Sequence, residues 1–436
     1  MVVLLRNFKN IFLVSDLRKK ILFTLIVLAV YRFGVHVPLP GIDTIKLAGY
    51  MKGVGAGGFL GWLDLISGGA LQRLAIFALG IQPYISASIM MSLLTVMIPT
   101  LEQYAKEGEY GRRIINQYTR YLTLLLSIVQ GSAIVVFAQA NGLVLSPGWS
   151  FRVMAIFILS VGSLFVMWFG EQITSHGIGN GSSLLIFGSI VADLPGAIVK
   201  TIKDIQLDQM DPFMALILLA TAVTVAACVV FMERGERKIP VQYAKRIIGN
   251  KIYGGQSSYI PLKINVSGVM PVIFTNSVIA MPIMLTKFLA SKFKWLEGAA
   301  DALSYGGLLF YILQTIFIVF FAYFYAAIQL NPEDVAENMK KSGGFIPGIR
   351  PGRKTAEFFN YVLNRVTFPG AMYLALLCII PGILAVFFGF HRVFSGISLL
   401  IVVGVALDTS AQIESYLIER RYEGFLSTGR LKGKRG

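Results

Sequence analysis

The stretch of residues 212–232, PFMALILLATAVTVAACVVFM, contains no charged side chain. A helix of about 20 apolar residues is long enough to cross the hydrocarbon core of a bilayer, and this stretch has that length. It also lacks the alternation of apolar and polar residues that marks the strands of a membrane barrel. The stretch therefore predicts a transmembrane helix.

Further apolar runs of about this length are spread along the whole chain. Of its 436 residues, 55% are hydrophobic and 14% are charged, whereas an average soluble domain has about 25% charged residues. Soluble helices in this number would need polar faces toward water, and these runs mostly lack them. We therefore expect an all-α polytopic membrane protein with ten transmembrane helices. The runs cover about residues 21–37, 74–97, 119–137, 153–169, 183–199, 212–232, 264–289, 308–330, 368–390 and 397–417.

The distribution of Lys and Arg predicts the orientation of the chain, because these residues collect on the cytoplasmic side of membrane proteins. With ten spans, both termini and the even-numbered connections lie on one side. That side holds 28 of the 39 Lys and Arg residues, against 11 on the other. Both termini are therefore expected in the cytoplasm. The net charge of +16 then forms a basic cytoplasmic surface, which also attracts anionic lipid headgroups.

Two connections on this side, residues 233–263 and 331–365, are longer and more basic than topology requires. Both mix glycine and proline with aromatic and apolar residues. Long connections without regular structure are usually functional or disordered, and this mixed composition argues against disorder. Aromatic side chains beside Arg and Lys suit a surface that docks a large anionic partner, such as RNA phosphates or an acidic protein face. Plain anchoring to lipid is the alternative.

Few residues of the sequence carry reactive chemistry. The histidines His36, His176 and His391 are far apart, and the two cysteines lie in separate apolar runs, so we expect neither a metal nor a cofactor. Secondary transporters place ionisable residues in the middle of their spans, and Asp408 is the main such residue here. A ten-helix secondary transporter is therefore disfavoured but stays open as an alternative.

Six segments resemble the SecY family, the central subunits of the bacterial protein-conducting channel. They occur in the family's order and at its spacing along nearly the whole chain, which makes the resemblance specific. The segments are LGIQPYISASIMMSLL (79–94), EGEYGRRIINQYTRY (107–121), GEQITSHGIGNGSS (170–183), VQYAKR (241–246), LKINVSGVMPVIF (262–274) and NPEDVAENMKKSGGFIPGIRPG (331–352).

The resemblance implies a clamshell of two pseudo-symmetric five-helix halves, residues 1–205 and 206–436, around a central hourglass pore. Unfolded polypeptide would pass through the pore, and transmembrane segments would leave sideways into lipid through a lateral gate. Such a protein is a passive channel in the plasma (inner) membrane and not an enzyme. The implied partners are the SecE and SecG subunits, the ATPase SecA, the ribosome, signal sequences and unfolded preproteins.

Residues 57–71, GGFLGWLDLISGGAL, are similar to the family's plug, a half-helix that closes the waist of the pore when no substrate is present. The glycine pairs at both ends give a displaceable element flexible backbone. We expect Asp64 to face water. An interfacial amphipathic helix is one alternative. An insertase without a through-pore is another, although a protein without an aqueous path needs no stopper. The apolar surface of the plug comes from Phe59, Leu60, Trp62, Leu63, Leu65 and Ile66.

The resemblance also implies a ring of six mostly branched apolar side chains at the waist. Such a ring excludes ions by dewetting and still yields to a passing chain. Ala406 departs from the family, which usually has a larger residue there. Val405 or Val402 would then fill the gap, or the register of the last helix differs by one residue. The ring residues are Ile85, Ile89, Ile186, Ile190, Ile273 and Ala406.

The lateral gate of the family lies between helices 2 and 3 and helices 7 and 8. Polar contacts between membrane helices are worth about 0.6–2 kcal/mol, which suits a seam that has to reopen. Ordinary hydrogen bonding between helices is the alternative. The candidates for contacts across the seam are Ser88, Ser92, Gln130 and Asn276.

The two basic connections correspond to the family's docking surface for SecA and the ribosome. Arg350 lies between Gly348 and Pro351, and this bend is expected to hold its guanidinium out as a bidentate donor. The basic C-terminal tail, residues 430–436, has no assigned partner. The docking candidates are Arg237, Lys238, Lys245, Arg246, Lys251 and Arg350, with Arg353 and Lys354 as supporting charge.

Overall fold

The computed structural model of the chain describes residues 14–54, 64, 67–207, 211–243, 246–248, 251–253, 257–290, 298, 307–388 and 396–428. The helices, in chain order, are α1 (Ser15–Gly34), α2 (Thr44–Val54), α3 (Gln82–Met97), α4 (Pro99–Lys106), α5 (Glu109–Ala140), α6 (Trp149–His176), α7 (Gly181–Gln206), α8 (Pro212–Arg234), α9 (Met270–Ala290), α10 (Leu308–Gln329), α11 (Pro332–Lys341), α12 (Arg353–Phe388) and α13 (Gly396–Thr428). The strands are β1 (Glu236–Tyr243), β2 (Arg246–Ile248), β3 (Lys251–Tyr253), β4 (Ser257–Lys263) and β5 (Gly344–Phe345).

Apolar helices dominate the described part of the chain, which confirms the predicted fold class. A helix overlaps each of the ten apolar runs. Among the described residues, seven helical segments are long and apolar enough to cross a bilayer. There are eight if α3 and α4, which meet at a bend of 102°, form one span. The exact count of ten spans stays a prediction.

The predicted second run, residues 74–97, is helical only from Gln82, so this helix starts later than expected. Residues 74–81 form turns, with positive φ at Leu74 (40°) and Gly80 (53°). Two backbone hydrogen bonds of 2.9 and 3.0 Å join these turns to residues 37–39. Hydropathy identifies residues that avoid water. Here residues 74–81 are mostly buried as turns, and Ala75 forms an isolated antiparallel bridge with Pro38.

The backbone divides into two compact units, Met1–Ile202 with Ile401–Gly436, and Lys203–Leu400. In the first unit, α3 packs against α5, α5 against α6, and α1 against α6. The two predicted five-helix halves stay a prediction. A buried core of the first unit consists of Leu39, Ile42, Leu47, Leu71, Leu74, Ala78, Leu79, Val135, Ala138, Leu143, Val144, Phe151, Ala155 and Leu159.

The turn between α6 and α7, residues 177–180, joins several helices of the first unit. Its amides donate to Thr24 Oγ1 of α1 at 3.2 Å and to Gln412 Oε1 of α13 at 2.9 Å. A second link between the same two helices runs from Lys20 Nζ to the hydroxyl of Tyr416 at 3.1 Å. The first helix of the described residues, α1, is therefore tied to the last of them, α13.

The described parts of the connections 233–263 and 331–365 contain strands and helices. β1 pairs antiparallel with β4 and with β5, and Arg237 lies opposite Leu262 in the register. We call β1, β4, β5, α11 and the first turns of α12 the platform, which belongs to the second unit. It has its own core, made of Ile239, Val241, Leu262, Met339, Ile346, Phe359, Val362 and Val366.

Local sequence explains the helix of the platform. Asn331 precedes α11, and its side-chain oxygen accepts from the amide of Glu333 at 3.1 Å, as a helix cap does. Pro332 occupies the first helical position, where its missing amide costs nothing. Lys340 and Lys341 lie in the last turn, where positive charge favours the helix dipole. These signals are polar, which is why hydropathy does not detect this helix.

Candidate functional site

The segment that resembles a plug, residues 57–71, is described at residue 64 and from residue 67 onward. Gly68 and Gly69 have φ of 65° and 80°. Residues other than glycine rarely adopt this backbone conformation. Leu71, directly after them, is buried in the core of the first unit. The end of the segment is therefore fixed to the folded helices. Its predicted apolar surface lies outside the described residues and stays a prediction; it comprises Phe59, Leu60, Trp62, Leu63, Leu65 and Ile66.

Polar side chains of α1 and α7 hold this end of the segment. Arg32 donates through Nη1 to the carbonyl of Gly68 at 2.6 Å and through Nη2 to Oδ1 of Asp193 at 2.9 Å. Tyr31 donates to the carbonyl of Ser67 at 3.3 Å. The Tyr31 hydroxyl also lies 3.2 Å from Ser189 Oγ. We call Tyr31, Arg32, Ser189 and Asp193 the bracket.

Asp64 is buried, with 7% of its surface exposed, so the expectation that it faces water is wrong. Its Oδ1 accepts from the amide of Gln72 at 2.8 Å, and its own carbonyl accepts from the amide of Gly69 at 2.9 Å. Burial raises the pKa of Asp64 to about 6. The Gln72 amide opposes this shift, Asp193 adds to it and Arg73 opposes it. The carboxyl is buried because the turn that follows it offers a backbone donor.

The six candidate ring residues are distributed over both units. Ile85, Ile186 and Ile190 are buried in the first unit, and Ile273 is buried in the second. Ile89 is half-buried on α3, one helical turn from Ile85. Ala406, on α13 in the first unit, is exposed. The ring as a whole stays a prediction.

Three of the four candidate gate residues form hydrogen bonds inside their own units. Ser92 donates to the carbonyl of Ser88 within α3 at 2.9 Å, and Gln130 is half-buried on α5. Asn276 of α9 is buried and accepts from Gln314 Nε2 of α10 at 3.3 Å. The Nδ2 of Asn276 and the Oε1 of Gln314 have no hydrogen-bond partner in the described part of the chain. A gate role for these residues stays a prediction.

The platform presents several of the candidate docking residues. Arg237 and Lys238 are exposed on β1, and the Lys238 ammonium lies 4.8 Å from the centre of the Tyr259 ring. Arg246 and Lys251 occupy the hairpin β2–β3. Lys245 lies outside the described residues.

Arg350 differs from its basic neighbours. It is exposed between Gly348 (φ 81°) and Gly352 (φ 101°), and it forms no ion pair with any residue in the described ranges. Arg353 and Lys354 both contact Glu357, at 3.6 and 2.8 Å. The carboxylate partly neutralises these two side chains, whereas the guanidinium of Arg350 stays available.

Sequence reasoning missed the bracket. Arg32 and Asp193 are opposite charges inside apolar runs, and ionisable residues in such positions usually have a partner and a function. The sequence contained that signal, but not the contact between α1 and α7. In the described ranges, no three His, Cys, Asp or Glu side chains are grouped as metal ligands, and the absence of a cofactor stays a prediction.

The fold is similar to that of solved protein-conducting channels. A structure described as a protein conducting channel has a TM-score of 0.62 at 17% identity, covering 91% of this chain and 92% of that chain. A SecY protein whose plug domain is described as stabilising the closed state of its translocation channel gives 0.60 at 17% identity with the same coverage. Sec61 in a canine ribosome-channel complex gives 0.57 at 16% identity, again over 91% and 92%. The chain thus has the fold class of polytopic protein-conducting channels.

Sequence relatives identify the family. The family model described as SecY matches residues 75–410. The protein translocase subunit SecY of Streptomyces galbus is 46% identical over 97% of this chain and 100% of that protein. The corresponding subunit of Pseudomonas aeruginosa is 44% identical over 96% of this chain and 95% of that protein. The chain belongs to the SecY family. This membership confirms the resemblance of the six motifs, and it makes the chain a multi-pass channel subunit and not an enzyme.

Proposed function

We propose that this chain is the pore-forming subunit of a bacterial protein translocase. It moves unfolded secretory polypeptides across the plasma membrane and releases transmembrane segments sideways into lipid. Both termini lie in the cytoplasm, and SecE and SecG accompany the chain. SecA with ATP, or the translating ribosome, supplies the driving force at the platform.

This proposal rests on one observation. Over 97% of its length, the chain is 46% identical to a protein translocase subunit. The platform adds support, because it presents exposed Arg and Lys on a folded surface of the predicted cytoplasmic side. The solved SecY protein with a plug domain supports the assignment of residues 57–71 as the plug. The Sec61–ribosome complex supports a ribosome as one partner of the platform.

The test uses vesicles that contain the full chain together with its SecE partner. We add SecA, ATP and an unfolded secretory precursor, and we measure whether the precursor becomes resistant to external protease. Resistance that requires ATP and a signal sequence is the expected result. The matched control is the same precursor without its signal sequence. Vesicles with verified SecE that protect neither precursor would contradict the proposed pore.

A further inference from the structure

The end of the plug segment has two anchors of different kinds. Leu71 is packed into the core of the first unit. Two and three residues earlier, the backbone turns at Gly69 and Gly68, which both have positive φ. The carbonyls of Ser67 and Gly68 accept hydrogen bonds from the bracket. The first anchor is part of the permanent fold, whereas the second consists of a few directed hydrogen bonds.

We propose that Arg32 is the positioning residue of the plug, and that its hydrogen bond to the Gly68 carbonyl holds the resting position of residues 67–71. This inference rests on the proposed channel function and on the assignment of the plug. Asp193 orients the guanidinium from α7, and Tyr31 supports the neighbouring carbonyl. Loss of the Arg32 contact releases the segment while the helices stay folded.

The guanidinium is suited to this role because it offers several donors in a fixed planar arrangement. One nitrogen contacts the plug segment and another contacts Asp193 of α7. A lysine has a single ammonium on a flexible stem, so it satisfies both acceptors less well. Hydrogen bonds from a charged donor are also stronger than those between neutral groups.

Gly68 completes the arrangement. A Cβ at this position would lie 2.7 Å from Arg32 Nη1 and 3.0 Å from the Cβ of Ser189. Only glycine therefore lets the guanidinium approach the carbonyl, and only glycine readily adopts its φ of 65°. The contact from Arg32 therefore requires a glycine at position 68.

The experiment separates the contact with the plug from the ion pair between α1 and α7. We compare the parent with Arg32→Gln, Arg32→Lys, Asp193→Asn and the double variant Arg32→Asp/Asp193→Arg, each in the complex with SecE. The double variant restores opposite charges, but its residue 32 is an acceptor and repels the Gly68 carbonyl. We measure the resting leak of small ions from vesicles and the hydrogen exchange of amides 67–71.

Arg32→Gln is expected to raise both the resting leak and the exchange rates by about tenfold to a hundredfold, the factor that one charge-assisted hydrogen bond is worth. Arg32→Lys and Asp193→Asn are expected to have smaller effects. The double variant is expected to stay as leaky as Arg32→Gln. Recovery of the parent's values in the double variant would overturn the proposal, because Arg32 would then act only through its ion pair.

Two further outcomes keep this inference separate from the proposed function. If the parent fails to protect a precursor but Arg32→Gln still accelerates exchange at residues 67–71, the channel function fails and the positioning contact stands. If the parent translocates and Arg32→Gln changes neither leak nor exchange, the positioning role fails alone. Arg32→Lys keeps the charge, so it supplies the same comparison should Arg32→Gln not assemble with SecE.

Discussion

The platform and the end of the plug segment are held in place by different kinds of contact. In the platform, apolar side chains of two strands and two helices pack around Phe359, which is fully buried. At the plug segment, side chains of the bracket donate to two backbone carbonyls. Apolar packing adds many small contributions, whereas a single hydrogen bond contributes about 0.5–3 kcal/mol.

This difference indicates how each region can move. A region with its own core keeps its internal arrangement unless it unfolds, because its contacts are shared among many side chains. A region held by a few hydrogen bonds can detach while its surroundings stay folded. The platform therefore suits a permanent docking surface, and the end of the plug suits repeated release.

The largest expected effect comes from removing the centre of the platform core. Phe359→Ala is expected to destabilise the platform by about 3–5 kcal/mol, because a buried aromatic ring leaves a cavity. Limited proteolysis of the full chain under increasing urea measures this effect. The control is Tyr361→Ala, two residues away, because 53% of the surface of Tyr361 is exposed. Equal protease resistance of the two variants would show that the core does not hold the platform.

Next in size is the substitution Gly68→Ala. We expect backbone strain to destabilise the folded position of the segment by about 1–3 kcal/mol. The added methyl group would also displace Arg32. Both effects would appear as faster hydrogen exchange of amides 67–71. Gly69→Ala is the matched control. Gly69 also has positive φ, but the nearest atom to a Cβ added there would be 3.7 Å away. This variant shares the strain and leaves the bracket intact. Identical effects of the two variants would argue that strain alone, and not the bracket, fixes the segment.

Asp64 gives the plug segment a pH dependence that the platform core lacks. Its pKa of about 6 in the folded segment lies above the ordinary 3.8, so the folded segment binds the proton more tightly than the released one. The stabilisation is therefore complete below pH 3.8 and is lost as pH rises through 6.

At about pH 5, amides 67–71 are expected to be about tenfold better protected from exchange than at about pH 7.5, after correction for the intrinsic rate. Asp64→Asn keeps an acceptor for the Gln72 amide and removes the titrating group, so its protection should not change with pH. Arg73 and Asp193 face the same carboxyl. A pH dependence that persists in Asp64→Asn would contradict this assignment.

The smallest expected effect concerns Arg350, in the connection between β5 and α12 of the platform. Arg350→Ala is expected to weaken SecA or ribosome binding by about fivefold, the scale of one exposed charge contact. Arg353→Ala should change binding less, because Arg353 shares Glu357 with Lys354. Binding is measured at two salt concentrations, and the difference in affinity between the parent and Arg350→Ala should be smaller at high salt. An equal loss in both variants would mean that only total charge matters.

The apolar runs and the six motifs predicted the fold class and the family from the sequence. Hydropathy could not predict that residues 74–81 form turns, because it reports burial and not backbone conformation. The platform strands were missed although ERKIPVQY (236–243) carries a usable signal, since Ile239 and Val241 are two apart and both buried. Charged and proline residues obscured that alternation.

The site was less predictable than the fold, because its contacts join distant parts of the chain. Asp64 was expected in water on the basis of its charge, but the amide of Gln72 makes burial possible. Arg32 and Asp193 are 161 positions apart, so their pairing follows from the packing of helices. The residues implied for the ring and gate were named only through family resemblance and stay predictions.

The links of α1 and of the turn after α6 to α13 have a consequence for the synthesis of the chain itself. Lys20 contacts Tyr416 across 396 positions, and the turn after α6 contacts Gln412 across 233. A chain is synthesised from its N-terminus onward, so α1 and α6 are made well before α13, to which they are linked. The first unit thus begins to form early and is completed only when residues 401–436 have been made. A nascent chain that stops before residue 401 lacks part of this unit.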